Sequence, residues 1–230
     1  MDKILLIIPA YNEAENISWV IDELSNYGNV CDFVIVNDGS KDNTKKICEE
    51  NGYNYIDLPI NVGLADTFKT GVKYAIGHGY DMVLQYDGDG QHNPKYISKM
   101  VEEMKKKNAD VVIGSRFKKR KECKTFRNIG SYIIQCLIKI TTGKKITDPT
   151  SGMRLYNSRV MNIFASQINI APEPDTIAFL IKSGFAVEEV EVEMRERKAG
   201  SSYLNIGNSI RYMLNVCISI FFVQWFRRGK

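Results

Sequence analysis

Short apolar runs alternate with helical patterns along the first half of the chain. The run Ile4–Ile8 is apolar at every position, which is typical of a strand buried on both faces of a sheet. Further strands are predicted at 32–36, 53–58, 82–86 and 110–114, with helices around 12–24 and at 45–51, 64–78 and 94–107. Strands that alternate with helices of this length form βαβ units. The sequence therefore predicts an α/β fold with a mostly parallel sheet and helices on both faces.

The pattern changes after Ser115. A basic stretch at 116–127 comes first, and the elements predicted beyond it are a helix at 129–140, a strand at 153–156, a helix at 175–183, a strand at 186–194 and an apolar helix at 209–226. About 20 consecutive apolar residues are needed to span a bilayer, and Arg211 and Asn215 interrupt the last segment. Trp225 and Phe226, followed by two arginines, are typical of interfacial anchors. A helix lying on a membrane is favoured, while an ordinary packing helix and a true span stay open.

Composition narrows the class of protein. The chain has 230 residues and a net charge of +4, with 44% hydrophobic and 25% charged residues. This is the composition of a folded globular domain, and the charge excess is too small to indicate a nucleic-acid partner. The five cysteines show no disulfide or zinc spacing, which indicates reduced thiols in a cytosolic protein. No secretory signal is recognised before the first strand.

The segment Asp87-Gly88-Asp89-Gly90-Gln91 carries the strongest chemical signal. Its two carboxylates follow a predicted strand, and ligands of open α/β sheets bind beyond the carboxyl ends of the strands. Two close carboxylates repel each other unless a cation lies between them, and hard oxygen ligands select Mg²⁺ or Mn²⁺. A polar turn is the simpler alternative. The strand before the motif and the residues after it favour a metal site that holds phosphate.

Two other strand ends carry polar residues. Asp38 follows the second strand within Asn37-Asp38-Gly39-Ser40 and is a candidate for accepting hydrogen bonds from a nucleoside. Tyr11 follows the first strand and is a candidate for lying against a base. The structural alternative is a turn whose side chain caps the next helix. This alternative accounts well for the presence of Asp42 and less well for that of Asp38.

These motifs together resemble family 2 glycosyltransferases, and in particular the dolichol-phosphate mannose synthase group and its bacterial polyprenyl-phosphate relatives. The resemblance covers about residues 3–204 and rests on IIPAYNEAENI, VNDGSKDNT, NVGLADTFKTGVKYA, DGDGQHNP, GSR, TDPTSGMRLY and RKAGSS. It implies a GT-A type catalytic domain at 1–204, followed by a membrane-interface helix and basic tail at 205–230.

The resemblance implies roles on the donor side. The nucleotide-sugar would be held by Pro9, Tyr11, Glu13, Asp38, Asp66, Asp87 and Ser202. Mg²⁺ or Mn²⁺ would be bound by Asp87, Asp89 and Gln91, and Arg197 would assist the leaving diphosphate. Asn37 stands where many members carry a second aspartate, so this chain has no carboxylate at that position. His92 is interpreted as support for the metal loop rather than as a general base.

On the acceptor side, the resemblance implies a phosphate site formed by Arg116, Arg127 and Ser131. Glu173 and Asp175 fall where members that act on hydroxyl groups keep a catalytic carboxylate. A phosphate monoester is already anionic near neutral pH, so it would not need that base. The lysines near Arg116 are predicted to meet anionic lipid.

The function predicted from these implications is metal-dependent, inverting transfer of a sugar from a UDP- or GDP-linked donor to a polyprenyl phosphate. The enzyme would act as a peripheral protein at the cytoplasmic face of the membrane, and a small membrane-protein partner is a further expectation. Two alternatives stay open. The acceptor is a sugar hydroxyl of a polysaccharide or lipid-linked glycan, or the chain is a non-catalytic nucleotide-sugar-binding subunit of a membrane complex.

Overall fold

The computed structural model describes residues 2–27, 31–116, 126–167, 170–195 and 206–223, and the described side chains exclude those of 126–129, 206–210 and 223. The strands are β1 Ile4–Ala10, β2 Asp32–Asn37, β3 Tyr55–Asp57, β4 Met82–Gln85, β5 Val111–Ser115, β6 Arg154–Asn157 and β7 Val187–Glu191. The helices are α1 Ile17–Asn26, α2 Thr44–Glu50, α3 Leu64–Gly77, α4 Ile97–Lys107, α5 Phe126–Thr142, α6 Ser158–Ser166, α7 Pro174–Lys182 and α8 Ile206–Ile218.

The seven strands form one sheet in the order β3-β2-β1-β4-β6-β5-β7. β1 pairs in parallel with β2 on one side and with β4 on the other, and β5 pairs in parallel with β7. β6 runs antiparallel to both β4 and β5. The predicted α/β fold with a mostly parallel sheet is confirmed.

Alternate residues of each central strand enter two separate cores. In β1, Leu5 and Ile7 pack on the face that is covered by α3 and by helices α5 to α8. Leu6 and Ile8 pack on the opposite face, against apolar side chains of α1, α2 and α4. Because both faces are covered, a central strand has no solvent side, and this explains its unbroken apolar run.

Several boundaries differ from the sequence prediction. The helix predicted from Pro94 begins with a 3₁₀ turn at Pro94–Tyr96, where the Asn93 side chain accepts the backbone N–H of Lys95, and the α-helix starts at Ile97. α6 was not predicted, and the antiparallel direction of β6 was not anticipated. The last helix among the described residues is α8, followed by a π-helical turn at Ser219–Val223, and positions 224–226 of the predicted helix lie outside the described residues.

The last helix is partly a core element. Val216 and Ile220 are buried in the same core as α5 and α7, while Leu214, Ile218, Phe221 and Phe222 are exposed. Within the described part of the chain, no helix is both long enough and apolar enough to cross a bilayer.

The contact between α3 and β1 gives a stability prediction. A Cβ atom at Gly71 would lie 2.4 Å from Cγ2 of Ile7, so we expect Gly71→Ala to lower the free energy of unfolding by about 1–3 kcal/mol through overpacking. Gly77→Ala is the matched control on the same helix, because a Cβ there meets nothing within 4 Å. It should change stability by less than about 1 kcal/mol, in the favourable direction. Urea unfolding with unchanged m-values measures both variants, and equal stabilities would contradict this packing.

Candidate active site

The loops that follow β1 and β2 are joined by hydrogen bonds at the carboxyl edge of the sheet. The backbone N–H of Asn12 donates to Oγ of Ser40 at 2.9 Å, and that of Lys41 donates to Oδ1 of Asn12 at 2.8 Å. The N–H of Glu13 donates to Oγ1 of Thr44 at 2.9 Å. The segments that carry the predicted donor-binding residues therefore form one surface.

Asp38 lies buried within this surface and organises the loop before α3. Its two carboxylate oxygens accept the backbone N–H groups of Val62 at 2.7 Å and Gly63 at 3.0 Å. Gly39 has φ +62°, and a Cβ there would lie 2.5 Å from the carbonyl carbon of Ile60, so glycine is required at this crossing. Asp66 is exposed in the first turn of α3, just beyond the loop that Asp38 holds.

Asn37 has a structural explanation for its departure from the family pattern. Its Nδ2 donates to Oδ1 of Asp57 at 2.7 Å, and Asp57 also pairs with Lys45 at 2.8 Å. The Lys45 ammonium holds the pKa of Asp57 below its usual value. An amide at position 37 can donate to Asp57, whereas a carboxylate there would repel it.

The loop 87–91, which we call the metal loop, follows β4 and lies beside the β1 loop. A Cβ at Gly88 would be 3.3 Å from the carbonyl oxygen of Pro9 and 3.7 Å from Cγ of Glu13. Asp89 is buried, and its Oδ1 accepts the N–H of Gln91 at 3.1 Å. The Asp87 side chain keeps 35% of its surface exposed, so a ligand can reach this carboxylate.

Both ring nitrogens of His92 contact Asp87. Nδ1 accepts the backbone N–H of Asp87 at 3.0 Å, so in the neutral ring the proton is on Nε2, which lies 3.3 Å from Oδ2 of Asp87. The ring is buried and packs edge-on against Tyr86, whose hydroxyl donates to the His92 carbonyl oxygen. These contacts are those of a supporting residue.

The metal loop offers a partial coordination shell. The described residues contain no cluster of three or more His, Cys, Asp or Glu side chains arranged to hold a metal ion. Asp87 and Asp89 supply hard carboxylate oxygens, and Gln91 adds an amide on the same loop. Mg²⁺ typically binds through one or two carboxylates and completes its shell with water and phosphate oxygens. The donor set fits Mg²⁺ or Mn²⁺ bound together with a phosphate-bearing ligand.

Arg116 lies at the end of β5 and pairs with a buried carboxylate. Its Nε and Nη2 donate to the two oxygens of Asp148 at 2.6 and 2.8 Å, and its backbone N–H donates to Asp148 at 3.0 Å. Asp148 is fully buried, and Nη2 of Arg116 also reaches Oγ1 of Thr150 at 3.0 Å. The structure thus gives Arg116 a structural partner in addition to its predicted role toward phosphate.

The segment 147–152 touches both Arg116 and the metal loop. A Cβ at Gly152 would lie 2.5 Å from Oδ2 of Asp87, so glycine lets this backbone approach the carboxylate. The fully buried Arg154 follows, and its Nε and Nη2 donate to the carbonyl oxygens of Ser151 and Pro149, each at 2.7 Å. The arginine of the SGMR motif therefore shapes this segment.

Glu173 and Asp175 lie at the start of α7, beneath the C-terminal helix. The hydroxyl of Tyr212 on α8 donates to Glu173, and the hydroxyl of Ser219 donates to Asp175 at 2.6 Å. Burial raises the pKa of the Glu173 carboxyl, while the Tyr212 hydrogen bond and the Arg154 charge oppose that rise. One oxygen of each predicted acceptor-side carboxylate is thus bonded to the C-terminal segment.

For the other predicted site residues the structure gives fewer contacts or none. Tyr11 is half-buried in the β1 loop, and Ser131 is buried on α5, where its Oγ accepts Nε2 of Gln135 at 3.4 Å. Arg127 lies on α5, but its side chain falls outside the described residues, as do Arg197 and Ser202 entirely. The sequence reasoning missed the hydroxyls of Ser40 and Thr44 that join the first two loops. A sequence signal existed for both residues, because Ser40 and Thr44 belong to the motif VNDGSKDNT.

The chain has the mostly parallel sheet of a GT-A type fold, with acidic loops at the edge where ligands of open α/β sheets bind. Residues 5–164 match Glycosyl transferase family 2, and the chain belongs to that family. The members of this family are glycosyltransferases, so the chain is an enzyme of that class, and the resemblance that the motifs indicated is confirmed.

Relatives with similar sequences include lipid-phosphate glycosyltransferases. The chain is 33% identical over 188 residues to the UDP-N-acetylglucosamine–dolichyl-phosphate N-acetylglucosaminyltransferase of Methanococcus voltae, covering 73% of this chain and 74% of that one. It is 26% identical to the undecaprenyl-phosphate mannosyltransferase of Micrococcus luteus, covering 93% and 92% of the two chains.

A solved structure supports the fold. The crystal structure of glucosyl-3-phosphoglycerate synthase from Mycobacterium tuberculosis, in complex with Mn²⁺, UDP-glucose and phosphoglyceric acid, matches with a TM-score of 0.73. The match covers 95% of this chain and 79% of that one at 17% identity, so it carries the fold alone.

The Arg116–Asp148 pair gives a prediction that tests the structural role of Arg116. Arg116→Ala should lower the free energy of unfolding by roughly 2–4 kcal/mol, because it leaves the buried Asp148 charge with fewer donors. Lys46→Ala is the control, since Lys46 forms an ion pair with Glu50 in which the two side chains are 68% and 62% exposed, and it should cost less than about 1 kcal/mol. Chemical denaturation measures both, and equal small losses would show that Arg116 is not needed for folding.

Proposed function

We propose that this chain transfers a sugar from a UDP- or GDP-linked donor to a polyprenyl phosphate, with inversion at the anomeric carbon. The observation that carries the proposal is the convergence of Asp38, Asp87 and Asp89 at one edge of the sheet. Family membership supports it, as do the names of the two relatives, which act on dolichyl and undecaprenyl phosphate.

On the donor side, the nucleoside would lie over the joined loops after β1 and β2, with Tyr11 and Asp38 lining its site. Asp66 would lie near the base from the first turn of α3. Mg²⁺ or Mn²⁺ held by Asp87 and Asp89, with Gln91 alongside, would neutralise charge on the leaving diphosphate when bound. Arg197 and Ser202, assigned by the RxxGxS resemblance, would assist on the same side.

On the acceptor side, a phosphate oxygen would attack the anomeric carbon from the face opposite the leaving diphosphate. The new carbon–oxygen bond forms as the bond to the diphosphate breaks, and the bonding electrons leave with the diphosphate. A phosphate dianion carries no proton to remove, so no general base is required. Arg116, Arg127 and Ser131 are the residues proposed to hold this phosphate.

The location proposed for the reaction is the cytoplasmic face of a membrane, reached by peripheral contact. Exposed apolar side chains on α5, on α8 and on the π-helical turn after it support this proposal, namely Tyr132, Ile133, Ile140, Leu214, Ile218, Phe221 and Phe222. The basic residues at 116–127 and in the tail would add attraction to anionic lipids. In this arrangement 1–204 is the catalytic domain and 205–230 the membrane-interface segment.

The donor half of the proposal predicts a metal-dependent loss in one variant. The wild type should release nucleoside diphosphate from at least one UDP- or GDP-linked sugar when Mg²⁺ or Mn²⁺ and a short polyprenyl phosphate are present. Asp89→Asn should lower kcat/KM by about 100-fold or more, because the amide binds the cation weakly. Asp81→Asn is the control, since Asp81 is an exposed carboxylate that accepts the N–H of Lys3 away from the site.

Absence of release from the wild type with every donor and both metals would overturn the proposal. Release that Asp89→Asn leaves unchanged would remove the metal loop from the mechanism. Measurable turnover would exclude a non-catalytic binding subunit.

The acceptor half predicts tolerance of carboxylate loss. With a phosphate acceptor, Glu173→Gln and Asp175→Asn should each lower kcat by less than about tenfold, because no acceptor proton is removed. A general base for a hydroxyl acceptor contributes about 10²–10⁴-fold. Turnover with polyprenyl phosphate and with the free polyprenol, assayed on both variants, measures the difference. A loss of 100-fold or more, with nucleotide binding retained, would favour a hydroxyl acceptor instead.

A further inference from the structure

Three residues join helix α1 to the metal loop, and we call them the α1 brace: Trp19, Glu23 and Arg195. Trp19 and Glu23 are four residues apart and so lie on the same face of α1. Nη1 of Arg195 donates to Oε1 of Glu23 at 2.5 Å. The Arg195 guanidinium lies 5.9 Å from the centre of the Trp19 ring, within the range of a cation–π contact.

The brace touches the metal loop at two consecutive residues. The backbone N–H of Arg195 donates to the carbonyl oxygen of Gln91 at 2.9 Å. Gly90 has φ +77°, and a Cβ there would lie 2.4 Å from Cζ3 of Trp19, so the indole closes directly over this glycine. Both contacts fall on Gly90 and Gln91, which lie between the candidate ligand Asp89 and His92, and Gln91 is itself the third candidate ligand.

The second contact leads to a metal-binding carboxylate. Gln91 accepts the N–H of Arg195 through its carbonyl oxygen and donates its own N–H to Oδ1 of Asp89 at 3.1 Å. Asp89 lies between two glycines, the residues with the greatest backbone freedom. Without external contacts, the position of its carboxylate would be poorly defined. The brace restricts the peptide that holds it.

We propose that Trp19, Glu23 and Arg195 are positioning residues that set the affinity of the metal loop for its divalent cation. This inference rests on the proposed function, since it assumes that Asp87 and Asp89 bind the cation. The brace residues act through Gly90 and Gln91 and touch neither the cation nor the donor. Residues that hold metal ligands in place typically change metal affinity by about 10–100-fold when altered.

The test measures metal binding directly. Free Mn²⁺ is titrated by electron paramagnetic resonance in the presence of UDP or GDP, with the full chain and no acceptor. Glu23→Gln, which changes one atom type and keeps the side-chain volume, should weaken Mn²⁺ binding by about tenfold. Arg195→Met should do the same, and Arg195→Lys, which retains the charge, should recover part of the affinity.

Glu188→Gln is the matched control. It removes an ion pair of the same kind, to Lys144 at 2.9 Å, in which neither partner contacts the metal loop. It should leave Mn²⁺ affinity within about twofold of the wild type, a change that corresponds to less than half a kcal/mol. If Arg195→Met fails to fold, Glu23→Gln alone decides the result.

The outcomes are distinguishable. Normal Mn²⁺ binding by the wild type, with equal binding by Glu23→Gln and Arg195→Met, would overturn the brace and leave the proposed function standing. Equal weakening by Glu188→Gln would also overturn it, because the effect would then be one of general stability. If the wild type fails to bind Mn²⁺ both in the presence of UDP and in the presence of GDP, the proposed function is overturned together with the brace.

Discussion

The parallel pairing of β1 with β2 on one side and β4 on the other is the constraint on which the candidate site depends. Since parallel strands end at the same edge, the loops after Ala10, Asn37 and Gln85 must emerge side by side. The register is held by burial on both faces, because a shift of one residue would exchange the side chains of the two cores. The carboxylates of three distant segments are thus brought together by backbone pairing.

Carboxylates gathered at one edge of the sheet repel one another. Some of them are paired with cationic side chains, whereas others are not. Asp148 and Asp57 are paired with the cations Arg116 and Lys45, so their charge is largely neutralised within the fold. Asp38, in contrast, accepts two backbone N–H groups, and Asp87 lies beside the imidazole of His92. Backbone N–H groups fix the oxygens of Asp38 in place without a cationic side chain. Carboxylate oxygens attract a divalent cation, and that cation can in turn hold an anionic diphosphate.

Much of this arrangement could be predicted from the sequence, for reasons that are physical. Continuous apolar runs such as Ile4–Ile8 indicate strands that are buried on both faces of the sheet. The residues after these strands indicate where the site lies, because parallel strands end at the same edge of the sheet. The direction of β6 could not be predicted, since a four-residue strand carries no signal for the neighbour it will pair with. The partner of Arg116 lies 32 residues away at Asp148, and only the folded loop brings the two together. The α1 brace was missed for the same reason, because Glu23 and Arg195 are 172 residues apart.

The C-terminal helical segment shows that an apolar sequence pattern alone does not distinguish a core helix from one that faces a membrane. Its hydrophobic residues divide between two surroundings, with Val216 and Ile220 in the core and Phe221 and Phe222 exposed. Between these faces, Tyr212 and the following Ser219 place hydroxyl groups on Glu173 and Asp175. The segment that carries the exposed apolar side chains therefore also contacts two carboxylates of the candidate site, Glu173 and Asp175. The same segment links the proposed membrane contact to the proposed acceptor side.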